Sequence, residues 1–152
     1  MNLRAIRIFI CLFCLNIGLA ACKSAPDAHD TQGNPISFSA FRGQYILINY
    51  FAEWCKPCST EIPALNAFYL QHKGKVMVFG VNYDHADNTK LNNIIKKMGI
   101  NFPVLKDDPG QKFDIMNVEG LPMTVVINPK GEKIKTLMGE QTIETLTQAT
   151  GL

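Results

Sequence analysis

Residues 45–58 of this 152-residue chain read Tyr-Ile-Leu-Ile-Asn-Tyr-Phe-Ala-Glu-Trp-Cys-Lys-Pro-Cys, and they decide the fold. The continuous apolar and aromatic run at 45–51 predicts a strand that is buried on both faces of a sheet. From residue 58 to residue 71, apolar residues recur at the spacing of a helix. A pair of cysteines, Cys55 and Cys58, therefore lies where a buried strand gives way to a helix.

This position predicts a redox-active cysteine pair. Backbone N–H groups and the helix dipole stabilise a thiolate at Cys55, and the positive charge of Lys56 favours the thiolate further. Pro57 fixes the backbone in the first helical turn, where its missing N–H costs little. Cys58 follows one turn along, so it is placed to resolve a mixed disulfide with Cys55.

Two other uses of the cysteine pair are a zinc half-site and a pair of inert core thiols. Zinc needs two more ligands, and after Cys58 the chain has no further cysteine. His29, His72 and His85 do not form a cluster with ligand spacing. Inert thiols are disfavoured because the pair stands at a helix start. We therefore expect no metal, and no cofactor beyond the Cys55–Cys58 disulfide itself.

The amino terminus has the layout of a secretory signal. Residues 1–7 carry two arginines, and residues 8–19 are apolar apart from Asn16 and Gly18. The alternative is a permanent transmembrane anchor, but the apolar run is shorter than the roughly 20 residues that span a bilayer. Cys11 and Cys14 have the spacing of a redox pair, yet they would leave with the leader.

The leader ends in Leu19-Ala20-Ala21-Cys22, which resembles the lipobox of bacterial lipoproteins. The resemblance implies cleavage before Cys22 and attachment of acyl chains to it, which gives stable membrane anchoring. We therefore predict a signal peptide at 1–21, a tether at 22–28 and one domain at 29–152. The protein would lie in a bacterial cell envelope, anchored to a membrane and facing the periplasm or the cell exterior.

The rest of the chain predicts an α/β domain with a mixed central sheet flanked by helices. Gly33-Asn34-Pro35 is a turn signal between two short segments that form an amino-terminal hairpin. Alternating strands and helices indicate parallel pairing, and the last two strands form an antiparallel hairpin. The predicted strands cover 27–32, 36–41, 45–51, 76–81, 102–105, 123–127 and 132–138, and the predicted helices cover 58–71, 88–98, 111–116 and 142–149.

Charge and composition exclude one class of function. The formal net charge is +2, and the 15 Lys and Arg residues are scattered along the chain. Neither a nucleic-acid surface nor a polybasic membrane patch is expected from this pattern.

Residues 49–58 resemble the active-site run of the thioredoxin superfamily. The details are most similar to the TlpA/ResA-type branch of exported, tethered thiol-disulfide oxidoreductases, and the resemblance extends from about Pro26 to Leu146. It includes residues 41–44, 102–107 and 120–124. It implies a thioredoxin-like fold and an enzyme that exchanges thiols and disulfides.

The resemblance also implies a substrate-binding surface. Pro122 corresponds to the cis-proline that faces the active-site disulfide, and Leu121 would offer its backbone to a substrate strand. We expect Trp54, Lys56 and Pro57 to complete this surface. The alternatives are an ordinary trans loop proline at Pro122 and a packing role for Trp54.

Glu61 is predicted to be a third catalytic residue. Thioredoxin has a buried aspartate at the position of Asn49, whereas the TlpA/ResA branch usually has Asn there and often an acid three residues after the second cysteine. Glu61 matches that acid, one helical turn beyond Cys58. We hypothesise that Glu61 tunes or deprotonates the site. The alternative is a first-turn glutamate stabilised by the helix dipole.

By the same resemblance, the expected function is reduction of disulfides in exported proteins, with apocytochrome c as a candidate substrate. A membrane electron donor of the DsbD/CcdA kind would recharge the protein, which we expect to be a monomer. A thiol oxidant is the main alternative, because Lys56 stabilises the thiolate and so raises the reduction potential. A copper-delivery lipoprotein is a further alternative, although such proteins on this fold carry a Cys-x-x-x-Cys pair.

Overall fold

The computed structural model describes residues 25–152. The strands are β1 (Ala28–His29), β2 (Pro35–Ile36), β3 (Tyr45–Phe51), β4 (Val76–Asn82), β5 (Val104–Leu105), β6 (Met123–Ile127) and β7 (Lys133–Met138). The α-helices are α1 (Lys56–Gln71), α2 (Asn88–Met98) and α3 (Ile143–Thr150), and two 3-10 helices span Phe38–Phe41 and Gly110–Phe113. The predicted signal peptide and Cys22 lie outside the described residues. In the described part of the chain, no helix is both long and apolar enough to cross a bilayer.

The central sheet is mixed, as predicted. Its five strands lie in the order β5-β4-β3-β6-β7. Strands β3, β4 and β5 are parallel, whereas β6 is antiparallel to β3 and β7 is antiparallel to β6. β3 is central, and six of its seven residues are buried. We call the end of the sheet where β3, β4 and β5 finish the Cys55 end, because the chain reaches Cys55 directly after β3.

The two faces of the sheet are covered differently. All three α-helices pack on one face, where their buried side chains join those of alternate sheet residues. The other face is covered by the amino-terminal segment and the two 3-10 helices. There Phe38 packs edge-on against Phe79 and Phe113, with ring centroids 5.7 and 4.8 Å apart. Within residues 25–152, α-helices thus flank the sheet on one side only.

The amino-terminal hairpin is shorter than predicted. β1 pairs antiparallel with β2 and also runs antiparallel to β5. The prediction of a second strand over 36–41 is wrong beyond Ile36, because Phe38–Phe41 forms a 3-10 helix. Its turn directs Phe38 into the core, where only 4% of the residue is exposed. β1 begins at Ala28, one residue before the predicted start of the domain.

The helix predicted at 88–98 is confirmed with the same bounds. The Asp87 carboxylate accepts hydrogen bonds from the N–H groups of Thr89 and Lys90, and Gly99 ends the helix with φ 69°. Other bounds shift slightly. The helix predicted at 111–116 is the 3-10 helix Gly110–Phe113, and the strand predicted from 102 is limited to Val104–Leu105.

Candidate active site

Cys55 and Cys58 are joined by a disulfide bond, with Sγ atoms 2.05 Å apart. Cys55 is the N-cap residue of α1, and its Sγ accepts a hydrogen bond from the Cys58 N–H at 3.3 Å. Cys58 is fully buried, while 5% of Cys55 is exposed. Cys55 is therefore the sulfur that a substrate can reach first, and Cys58 lies behind it.

Trp54 directly precedes Cys55, and its side chain is exposed to solvent. The residue is 67% exposed, and its indole Nε1 donates hydrogen bonds to both carboxylate oxygens of Asp84 at 3.1 Å. Lys56 and Pro57 are also exposed. Asp84 follows β4 and is 30 residues away in sequence, so sequence reasoning missed it. No local pattern signals such a contact.

The Leu121–Pro122 peptide bond is cis, as the resemblance implies. Pro122 is buried and directly precedes β6, whose first residue, Met123, pairs with Tyr50 near the end of β3. Leu121 packs against the apolar cluster that contains both cysteines. The two residues therefore lie at the Cys55 end of the sheet.

Glu61 is buried in α1, three residues after Cys58. Only 1% of the residue is exposed. Its Oε1 accepts a hydrogen bond from Asn49 Nδ2 at 2.6 Å, and its Oε2 accepts one from the Gln141 N–H at 2.9 Å. Because α1 begins at Lys56, Glu61 lies beyond the first turn. This position does not fit the alternative of a first-turn glutamate stabilised by the helix dipole.

Burial gives Glu61 unusual acid–base properties. It raises the pKa of the carboxyl group from 4.5 to about 7, although the hydrogen bonds from Asn49 and the Gln141 N–H act to lower it. The nearby charge of Glu140 adds a smaller upward contribution. Near neutral pH, Glu61 can therefore either hold or accept a proton, whereas an ordinary glutamate would be ionised.

A buried polar network connects Glu61 to the sheet. Asn49 Nδ2 also donates to Thr124 Oγ1 at 3.0 Å, and Thr124 is the register partner of Asn49 on β6. All three side chains are buried, and Asn49 Oδ1 has no hydrogen-bond partner. Sequence reasoning identified Asn49 and Glu61 but missed Thr124. It also missed Gln141, which contacts Glu61 through its backbone.

Other charged side chains belong to the surface. Glu53, next to Trp54, forms an ion pair with Lys97 at 2.8 Å, and this lowers the pKa of Glu53. Within residues 25–152, no three His, Cys, Asp or Glu side chains come together in a group that could hold a metal ion.

Comparison with known proteins places this geometry in a family. The sequence profile of the AhpC/TSA family matches residues 20–135. The thiol-disulfide oxidoreductase ResA of Bacillus subtilis is 34% identical over 114 residues, which are 74% of this chain and 63% of that protein. The chain thus covers less than two thirds of the length of this relative. ResA of Bacillus thuringiensis subsp. konkukian is 33% identical over 127 residues, 82% of this chain and 73% of that protein.

A solved structure agrees with these relatives. The crystal structure of StoA from Bacillus subtilis matches with a TM-score of 0.64 and 28% sequence identity, over 80% of this chain and 92% of that one. The disulfide at the start of α1 and the cis-proline before β6 occur here within the same thioredoxin-like fold. The chain therefore belongs to the AhpC/TSA family and is a thiol-disulfide oxidoreductase homologous to ResA.

Proposed function

We propose that the protein reduces disulfides of exported proteins by passing two electrons from the Cys55 and Cys58 thiols to a substrate disulfide. The observation that carries this proposal is the buried carboxyl group of Glu61, one helical turn from Cys58 and hydrogen-bonded to Asn49. Residues three apart on a helix have Cβ atoms about 5–6 Å apart, so Glu61 is close enough to act on the Cys58 thiol directly or through one water.

The reaction proceeds in two exchange steps. The Cys55 thiolate attacks one sulfur of the substrate disulfide, forms a mixed disulfide and releases the other sulfur, which takes a proton from solvent. Cys58 then gives its proton to Glu61, and its sulfur attacks Cys55 Sγ. This step re-forms the Cys55–Cys58 bond and releases the second substrate sulfur, which is also protonated. The substrate gains two electrons and two protons, and no other redox group takes part.

Glu61 also favours the reducing direction. A thiolate-stabilising environment raises the reduction potential, as the helix dipole and Lys56 do here. An ionised carboxylate behind Cys58 acts in the opposite sense, because like charges disfavour a second anion nearby. It therefore destabilises the reduced, thiolate-bearing state and lowers the potential.

The substrate would bind across the exposed surface around Cys55. Trp54, Lys56 and Pro57 supply the solvent-exposed part of this surface. Leu121 and Pro122 supply the part at the end of the sheet, where the backbone of Leu121 would pair with an extended substrate segment.

The proposed setting is the surface of a bacterial membrane. The basic and apolar leader that ends in Leu19-Ala20-Ala21-Cys22 supports removal of residues 1–21 and lipid attachment at Cys22. In that compartment a membrane electron donor of the DsbD/CcdA kind would return the Cys55–Cys58 pair to the dithiol form. Cytochrome c maturation is a process that would use such a monomeric reductant.

The equilibrium reduction potential of the Cys55–Cys58 couple tests the direction of electron flow. We expect a value close to that of thioredoxin, about −270 mV, and a protein that is mostly reduced in cells. A potential near that of DsbA, about −120 mV, together with a mostly oxidised protein in cells, would instead favour the thiol-oxidant alternative. The Glu61→Gln variant should have a higher potential than the wild type, while the Glu53→Gln variant should not.

A further inference from the structure

The residues that precede the folded domain join it at Asp27, which several contacts hold in place. The N–H of Asp27 donates to the Ile36 carbonyl at 2.9 Å. The Asp27 carboxylate accepts from the Phe38 N–H at 2.8 Å and forms an ion pair with Lys112 at 2.8 Å. Three contacts therefore hold this residue, two to the segment 36–38 and one to Lys112, and only the residues before it can act as a tether.

This junction lies at the Cys55 end of the sheet. β1 runs antiparallel to β5: the Lys106 N–H donates to the His29 carbonyl, and the Thr31 N–H donates to the Val104 carbonyl. Since β5 is parallel to β4 and β3, residues that precede β1 extend past the end where β3 finishes. β1 is three strand positions from β3, a lateral separation of about 14 Å at about 4.8 Å per strand.

The tether is too short for the domain to turn its opposite end towards the membrane. Five residue steps separate Cys22 from Asp27, and each can span at most about 3.5 Å, so the reach is about 17 Å. The seven residues of β4 alone extend about 20 Å along the sheet, and loops add to this at both ends. A domain held through Asp27 cannot place its opposite end against the surface that holds Cys22.

Surface charge would favour the reversed orientation, in which the opposite end of the sheet faces the membrane. An experiment can therefore separate the effect of charge from the effect of the tether. The opposite end of the sheet carries four exposed cations, Arg42, Lys73, Lys75 and Lys130. Anionic lipids would attract this end, but the attraction fades within a Debye length of about 8–10 Å. With the junction at the Cys55 end, the tether keeps these cations beyond that distance.

We propose that the Cys55 end of the domain faces the membrane surface to which the chain is tethered, so that its redox partner is a protein presented in or on that membrane. This inference rests on the lipid attachment at Cys22 included in the proposed function. It adds an orientation: the exposed ring of Trp54 and the disulfide behind it are directed to the bilayer, and the basic end is directed to the open compartment.

Energy transfer from tryptophan to labelled lipid tests the orientation. Trp54 is the only tryptophan of the chain and is 67% exposed. The oxidised, lipidated protein would be reconstituted in phosphatidylcholine vesicles that carry dansyl groups on a fraction of the headgroups. A matched Trp54→Phe/Lys73→Trp variant moves the donor to the opposite end. We expect several-fold more transfer from Trp54 than from the Lys73→Trp probe, and equal or smaller transfer from Trp54 would overturn the orientation.

Lengthening the tether provides a second test. An insertion of about twenty Gly and Ser residues between Ala25 and Pro26 has a root-mean-square span of about 25 Å, enough to release the domain. The difference between the two probes should then disappear, and in vesicles that contain phosphatidylglycerol the Lys73→Trp probe should show the larger transfer. A difference that persisted with the long tether would contradict a tether-imposed orientation.

Failure of the anchor is distinguishable from failure of the orientation. If the wild-type protein took up no labelled fatty acid and bound vesicles no better than Cys22→Ser, the anchor would be wrong and the orientation with it. The reduction potential of the Cys55–Cys58 couple would still stand as a separate test of the redox proposal.

Discussion

Glu61 combines nearly complete burial with hydrogen bonds to both of its carboxyl oxygens. It is 1% exposed, yet two donors hold its oxygens at 2.6 and 2.9 Å. Burial raises its pKa, and the two hydrogen bonds keep the ionised form accessible near neutral pH. A proton acceptor of this strength suits a thiol such as Cys58, which must become a thiolate only after the mixed disulfide has formed.

The first prediction concerns the rate of the second exchange step. In Glu61→Gln, attack of Cys58 on the mixed disulfide should slow by about a hundredfold, a typical effect of losing a positioned base. The wild-type rate should show an inflection near pH 7 from Glu61, and this inflection should be missing in the variant. Rapid-quench measurement of product release between pH 5 and pH 9 would show both effects. Glu53→Gln, which alters a surface ion pair, is the matched control, and an unchanged profile in Glu61→Gln would exclude Glu61 as the base.

The second prediction concerns stability and pH. The pKa of Glu61 is about 7 in the folded protein and 4.5 as the ordinary value. The folded protein therefore keeps this proton to a higher pH than the unfolded chain, so Glu61 makes the fold less stable as pH rises from about 4.5 to about 7. The free energy of unfolding of wild type relative to Glu61→Gln should fall by up to about 3 kcal/mol across this window.

Urea unfolding of the oxidised proteins at several pH values would measure this difference. Glu53 provides a control of opposite sign, because its ion pair with Lys97 lowers its pKa. A wild-type stability that rose relative to Glu61→Gln over the same range would contradict a raised pKa at Glu61.

The bounds of helix α2 could be predicted because the residues that start and end it lie within its own stretch of sequence. The side chain of Asp87 satisfies two N–H groups at its start, at 3.0 Å each, and Gly99 adopts φ 69° at its end. Both signals are local, so the apolar periodicity between them could place the helix with the right bounds.

The third prediction tests this N-cap. Asp87→Ala removes the acceptor for the N–H groups of Thr89 and Lys90 and should destabilise the fold by about 1 kcal/mol. Asn93→Ala, an exposed substitution within the same helix, should leave the stability unchanged or raise it slightly. Urea unfolding at one pH, with equal m-values for all three proteins, gives the comparison. An equal loss in both variants would show that capping by Asp87 contributes nothing.

Elements whose state depends on distant residues were predicted less well. Residues 36–41 have the apolar content of a strand, but Phe38 is drawn into contact with Phe79 and Phe113, and the segment turns into a 3-10 helix. The packing of aromatic rings from three separate segments decided its conformation. No pattern within six residues carries that information.

The same division applies to the active site. The cysteine pair and its position at a helix start are visible in adjacent residues, and Glu61 follows at one helical turn. The contact between Trp54 and Asp84 spans 30 residues, and the contact between Glu61 and Gln141 spans 80. These contacts depend on where the loops that follow β4 and β7 lie relative to α1 and to the residues just before it. Likewise, the helical phase that buries Glu61 follows from packing of α1 on the sheet.

At the scale of the whole molecule, one end of the sheet collects every part of the proposed chemistry. The disulfide, the exposed Trp54 and the Leu121–Pro122 peptide bond all lie at the Cys55 end, and the chain also enters the domain there at Asp27. The opposite end carries exposed cations and none of these groups. The two ends of the sheet therefore differ: the Cys55 end carries the reactive groups, and the opposite end carries none of them.

The fourth prediction concerns the attachment of the whole molecule to a membrane. Cys22→Ser should abolish incorporation of labelled palmitate and move the protein from the membrane fraction to the soluble fraction of the cell envelope. Cys11→Ser, within the same leader, is the matched control and should be processed as the wild type. Membrane association of Cys22→Ser equal to that of wild type would exclude lipid attachment as the anchor.

The strands at the two margins of the sheet would have a consequence for copies held on one membrane by the proposed lipid anchor. On one margin, the two-residue strands β1 and β2 shield the edge of β5. On the other, β7 presents exposed Lys133 and Lys135, and short or charged edges resist strand-to-strand pairing. Under the proposed anchor and orientation, copies would diffuse in one plane and meet side by side. Because both edges of the sheet are protected, neighbouring copies would not aggregate by edge-to-edge pairing, and the Cys55 end of each copy would stay accessible.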